Sequence, residues 1–207
     1  MITSGFSIQP SEPLASPAAR HLERGQEHHA AGRIDEAIAA LEAGLDAAGD
    51  TPAEMIADLH AELGDACMQS GQFNRASGNY AAALRLAPYL TSCWCGLGNV
   101  HLQTHRAKDA IPLYLEALKL DPAHWAARAN LAEALVAIKQ YRAARAVLKD
   151  LCRVQPQDSQ MQHQLGKVCF ELNETESAIR AFRAGDQAEP EQCRQPLLDR
   201  RNQAEDG

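Results

Sequence analysis

The stretch AKDAIPLYLEALKLDP, residues 107–122, returns in close paraphrase as NRASGNYAAALRLAP at 74–88 and as YRAARAVLKDLCRVQP at 141–156. Aligning the copies brings Ala37, Ala76, Ala110, Ala144 and Ala178 into one column, with spacings of 39, 34, 34 and 34 residues. Four residues after each alanine stands a large side chain: Leu41, Tyr80, Tyr114, Leu148 or Phe182. Twelve residues before it stands a small one: Gly25, Gly64, Gly98, Ala132 or Gly166. Twelve residues after the last four alanines come Pro88, Pro122, Pro156 and Pro190, whereas the first copy has Gly49.

A period of this length carrying helical spacing describes one helix-turn-helix unit per copy. Within a copy the small residues let two helices approach, and the large side chain one turn after the alanine fills the space beside them. The proline then ends the second helix. A lone pair of short helices cannot bury its apolar faces, so copies must stack, and about three are needed for stability. With 45% apolar residues, 5% aromatic and abundant Ala and Leu, the composition favours helix over sheet. The expected fold is all-α.

These columns closely resemble the tetratricopeptide repeat (TPR) family, the copy from Trp94 to Pro122 most of all. The resemblance covers residues 18–192 and implies a right-handed α-solenoid of about five repeats, near 18–51, 57–90, 91–124, 125–158 and 159–192. Residues 1–17, with three prolines and four serines, read as a flexible arm, and 193–207 as a tail or partial cap that brings Leu197 and Leu198 over the last layer. The first copy, with His21 and Arg24 at usually apolar places, reads as a terminal layer. In the five extra residues before the second copy, Thr51, Pro52 and Glu54 suggest a capped helical extension.

The resemblance further implies that the first helices line a concave groove where ligands lie. The groove positions hold Asp58, Asp65, Met68 and Gln69 in the second copy, and Ser92, Cys95, Asn99, Leu102 and Gln103 in the third. The fourth contributes Glu133 and Val136; the fifth contributes Gln160, His163, Lys167, Phe170 and Glu171. Polar edges with apolar Met68, Leu102, Val136 and Phe170 suit an extended or helical peptide, its backbone meeting Asn99 and Gln103. A subtype of the family clamps chaperone carboxylates with Lys, Arg and Asn. Here the ninth-position column reads Gln26, Asp65, Asn99, Glu133 and Lys167, and its two acids argue against that use. The asparagine ladder of glycosyltransferase-linked repeats is also missing, the sixth-position column being Glu23, Glu62, Gly96, Asn130 and Gln164.

Metal and catalytic readings fare poorly. His28, Cys67, His101 and Cys169 share the eleventh position, but helices of successive copies sit roughly 8–10 Å apart, too far for one ion with bonds near 2 Å. Packing between helices is the expected role of that column. In Cys93-Trp94-Cys95, helical geometry points only Cys95 to the groove. Walker, nucleophile-elbow, zincin and dinucleotide motifs are all missing, and the repeats consume most of the chain, so neither enzyme nor cofactor is expected.

A net charge of −7 disfavours nucleic-acid and anionic-membrane partners. The first residues have no secretory pattern, no uncharged apolar run spans a membrane, and six cysteines without a C-x-x-C pair suit the cytoplasm. The charge changes sign along the copies: residues 125–158 carry six Lys and Arg against three Asp and Glu, while 159–192 carry three against six. Lys139, Arg142, Arg145 and Lys149 make the fourth copy basic, a face that solvent alone can account for or that an acidic partner could dock on. The expected function is an adaptor or assembly factor holding a peptide or helix of another protein, with an accessory enzyme subunit and a homo-oligomeric scaffold as the alternatives.

Overall fold

A computed structural model of the chain describes residues 16–188. The expected arm before Ser16, the tail at 193–207 and Pro190 lie outside the described residues. Those residues form ten α-helices and no strand, in two compact units divided between Leu90 and Thr91.

The first unit contains α1 (Pro17–Ala30), α2 (Ile34–Asp46), α3 (Ala53–Gln69) and α4 (Phe73–Leu86). Each helix packs on the one before it, and α1 also touches α3. The second unit repeats this scheme with α5 (Thr91–Gln103), α6 (Ala107–Leu120), α7 (Trp125–Ala137), α8 (Tyr141–Val154), α9 (Ser159–Glu171) and α10 (Thr175–Ala188). Its core runs unbroken from Cys95 through Tyr114, Leu131, Leu148 and Leu165 to Ala181.

The small-and-large pairing sets the spacing within each hairpin. A Cβ added to Gly64 would lie 2.7 Å from the Tyr80 ring; at Gly98 it would lie 2.6 Å from Tyr114, and at Gly166 2.6 Å from Phe182. At Gly25 it would come within 2.5 Å of Leu41. Real Cβ contacts are never so short, so in these hairpins glycine admits the large partner across the interface. The fourth copy keeps the sum with a different division: Ala132 and the smaller Leu148 are both fully buried.

The turns inside the hairpins share one geometry. Gly32, Gly71, His105, Lys139 and Asn173 all have left-handed backbones, with φ of 74°, 74°, 58°, 60° and 59°. The residue after each donates its N–H to the carbonyl five residues back, as in Arg33 to His28, Arg106 to His101 and Glu174 to Cys169. This is the Schellman closure of a helix C-terminus, which strongly favours glycine. Three of the five turns use a residue with a Cβ, which hid the column from pattern reading.

Helix ends otherwise follow local chemistry. Ser16 accepts a bond from the Ala19 N–H with Pro17 in the first turn, and Asp158 accepts one from Met161. The helices α4, α6 and α8 each stop two residues before Pro88, Pro122 and Pro156. The insertion lengthens α3 to 17 residues, against 13 in α5, α7 and α9. The cap suggested by Thr51 and Glu54 is not used, however. Pro52 is itself the cap residue, no side chain caps the helix, and the Thr51 N–H is drawn back to Ala48 by the turn around Gly49.

Two stability outcomes follow. Gly98→Ala gains helix propensity but forces a methyl into the Tyr114 ring, so it should lose about 1–2 kcal/mol by chemical denaturation. His105→Gly should gain about 0.5–1 kcal/mol by relieving the left-handed strain, and Asn173→Gly clearly less because asparagine tolerates that region. Equal effects at the two turns would contradict the assignment.

Candidate functional site

The tyrosines that fill the hairpins carry hydroxyls, and these reach the residue next to the glycine. Tyr80 donates to Asp65 Oδ1 at 2.5 Å, and Tyr114 donates to Asn99 Oδ1 at 2.8 Å. Asn99 Oδ1 also accepts from Asn130 Nδ2 at 2.7 Å. The carbonyl expected to meet a peptide is thus already engaged by two internal donors. In the copies with Leu41, Leu148 and Phe182 there is no hydroxyl, and the ninth position holds Gln26, Glu133 or Lys167 instead. The short acceptors Asp65 and Asn99 thus occur in the two copies whose large residue is tyrosine.

Burial moves the phenol of Tyr114 well above its ordinary range. Burial also raises the Asp65 carboxyl, against the lowering effect of the Tyr80 hydrogen bond. Asp58, two helical turns earlier in α3, is raised by burial and by the nearby Glu62. In the same unit Glu62 accepts from Gln26 Nε2 at 2.8 Å and lies 3.7 Å from His29. Met68 is half-buried, while Gln69 is exposed as the last residue of α3.

In the second unit the expected residues separate into groups. Leu102 packs half-buried against the core near the C-terminus of α5, where Gln103 is exposed. Cys95, expected to face outward, is 6% exposed and belongs to the core with the buried Cys93. The close packing of α5 through Gly96 and Gly98 leaves both thiols covered. Glu133 is exposed on α7. His163 is spent internally: Nδ1 is 2.8 Å from the Ser159 carbonyl, Nε2 is 3.2 Å from Asp186, and its ring meets Phe182 at 6.0 Å.

Lys167 and Phe170 do come together. They line a cleft of about 290 Å³ with Val136 of α7, Tyr141 of α8, Val168 and Glu171 of α9, and Phe182 of α10. Phe170 is 69% exposed, whereas Met68, Leu102 and Val136 at the same repeat position are half-buried. Tyr141 and Phe182 were not expected here, because the groove register counts only first helices. Phe182 was nonetheless visible as the large residue of the fifth copy.

The eleventh-position column serves packing and turns. Cys67 and Cys169 are buried, His28 accepts from Arg33 Nε at 2.9 Å, and burial lowers the pKa of His101. Among the described residues no cluster of His, Cys, Asp and Glu has the arrangement of a metal site, and no helix is long and apolar enough to cross a membrane.

Tetratricopeptide repeat family models match residues 22–90 and 101–165. The chain belongs to the tetratricopeptide repeat family. Its fold is accordingly the all-α TPR solenoid class. A curated relative, Superkiller protein 3 of Schizosaccharomyces pombe, is 27% identical over 113 residues, 55% of this chain but 8% of that protein's length. Among solved structures, MamA from Desulfovibrio magneticus RS-1 superposes with a TM-score of 0.76 at 18% identity, covering 85% of this chain and 97% of that one. YrrB, whose structure is described as a TPR protein with an unusual peptide-binding site, gives 0.72 at 15% identity, covering 86% and 89%. At these identities the solved structures establish the fold alone.

The Asp65 arrangement has a pH signature. A raised folded-state pKa means that the charged form costs stability above it, and that this cost disappears as pH falls through it. Asp65→Asn keeps the oxygen that accepts from Tyr80, as Asn99 does for Tyr114. The variant should be the more stable protein at pH 7 in thermal melts, with the difference shrinking toward pH 4. A variant less stable at pH 7, with a gap that closes as the pH falls, would show that the charged carboxylate stabilises the fold and would contradict this reading.

Proposed function

We propose that this TPR protein is a non-enzymatic adaptor or assembly factor that holds a peptide or helical segment of another protein at the cleft around Phe170. The observation that carries the reading is the exposure of that ring, 69%, at the mouth of a cleft walled by Val136, Tyr141 and Phe182. An exposed aromatic beside a concave apolar surface, with polar groups at its rim, suits insertion of a partner's apolar side chain. Lys167 and Glu171 supply that rim. Family membership and the peptide-binding description of YrrB support the class of function.

In the other candidate positions the proposal assigns secondary roles. Gln103, Glu133, Gln69 and Met68 offer exposed or half-exposed contacts along their helices. Asn99 contributes through its Nδ2, since its oxygen is taken by Tyr114 and Asn130. A cytoplasmic setting belongs to the same proposal, supported by five buried cysteines that are free thiols.

The test is affinity capture from native lysate with wild type and Phe170→Ala in parallel. Because the ring is exposed, the variant should melt within about 0.5 kcal/mol of wild type. A partner retained by wild type should be lost or reduced about tenfold or more, as for a truncated aromatic anchor. Equal retention by both folded proteins would remove Phe170 from the binding site.

A further inference from the structure

The cleft beside Phe170 has a second cleft as its neighbour, and Tyr141 lines both. The second, about 420 Å³, is formed by Lys139, Gln140, Tyr141, Arg142, Ala143 and Leu172. The two differ in chemistry: one presents Phe170, Val136 and Phe182, the other presents Lys139 and Arg142. Across both, the lining residues bring three cations, Lys139, Arg142 and Lys167, and one carboxylate, Glu171.

These cations have no assigned internal use. Arg75 is paired with Glu42, Lys119 with Glu116, Arg145 with Glu174 and Arg153 with Asp150. Lys139, Arg142 and Lys167 are exposed, and none is ion-paired to a carboxylate among the described residues. Glu171, the one carboxylate of the two linings, offsets them only in part, one negative charge against three positive. Lys139 is fixed at the left-handed turn between α7 and α8, where the Gln140 N–H is bonded to Leu135. One of the three charges therefore sits on a defined turn and the other two on α8 and α9, in a chain whose net charge is −7.

Resting on the reading of the Phe170 cleft as a binding site, we infer that its partner segment is an acidic apolar peptide. A bulky aliphatic or aromatic side chain enters beside Phe170, and adjacent Asp or Glu residues lie over Tyr141 toward Lys139, Arg142 and Lys167. Complementary charge at a rim selects the partner and speeds encounter, while the apolar pocket supplies most of the holding energy. A basic segment would face a net excess of positive charge, three cations against Glu171, and a purely apolar one would leave that excess unused.

Three fluorescently labelled synthetic peptides test the inference by anisotropy titration, sharing a Leu-Leu-Phe centre and differing only in flanks of Asp and Glu, Ser and Gln, or Lys and Arg. The acidic peptide should bind at least about tenfold tighter than the neutral one and lose that advantage as salt is raised. Lys139→Glu together with Arg142→Glu, both in the second cleft, should weaken the acidic peptide about tenfold and leave the neutral one within about twofold. Phe170→Ala should weaken every peptide that binds. If neutral and acidic peptides bind equally, still through Phe170, the charge inference is overturned and the cleft remains a binding site. If no peptide depends on Phe170, the reading of the cleft fails and this inference with it. Circular dichroism melts of each variant separate lost binding from lost folding.

Discussion

The fold depends on how closely two helices of a hairpin can approach. Glycine at 25, 64, 98 and 166 leaves room for one large side chain apiece, and that side chain closes the interface. Each such contact fixes the hairpin, and each hairpin then offers an apolar face to the next helix in its unit. The alanine column follows from the same constraint, since Ala37, Ala76, Ala110 and Ala144 are fully buried where nothing larger fits. Stability in such a stack is a sum of hairpin and neighbour terms. Positions outside these contacts are then available for other uses.

That division decides what the polar positions can do. A tyrosine in the large position needs a hydrogen-bond acceptor for its hydroxyl, and Asp65 and Asn99 provide it. These two side chains are partly structural, however ligand-like they look in a list. Where the large residue is Leu148 or Phe182, the ninth position carries Glu133 or Lys167, both exposed. Lys167 lies beside Phe170, so the charged rim of the cleft sits where the core makes no demand on the neighbouring residue.

The repeat architecture was readable because its signals are local and recur at 34-residue spacing: alanine, large residue, small residue and proline. The turn column was harder to see, since a left-handed residue can be Gly71, His105 or Lys139, and only backbone geometry unites them. The extension before α3 was legible as helix, but its cap was not, because the Gly49 turn redirects the Thr51 N–H. At the site, Phe170 and Lys167 followed from the register of the first helices. Tyr141 and Phe182 required the hairpin packing that brings α8 and α10 against α9. Asn99 and His163 show the reverse case: their spacing suggested ligands, while Tyr114, Asn130, Ser159 and Asp186 already satisfy them in part.

The central claim is that the exposed ring at position 170 faces a segment of another protein in the cell. A photo-crosslinking phenylalanine analogue placed at position 170 of the full chain, followed by mass spectrometry of the linked peptides, tests it most directly. The account predicts links concentrated in one short segment of one partner, containing a bulky apolar residue next to Asp or Glu. Links scattered over many proteins at the level of an analogue placed at exposed Arg85 would contradict it.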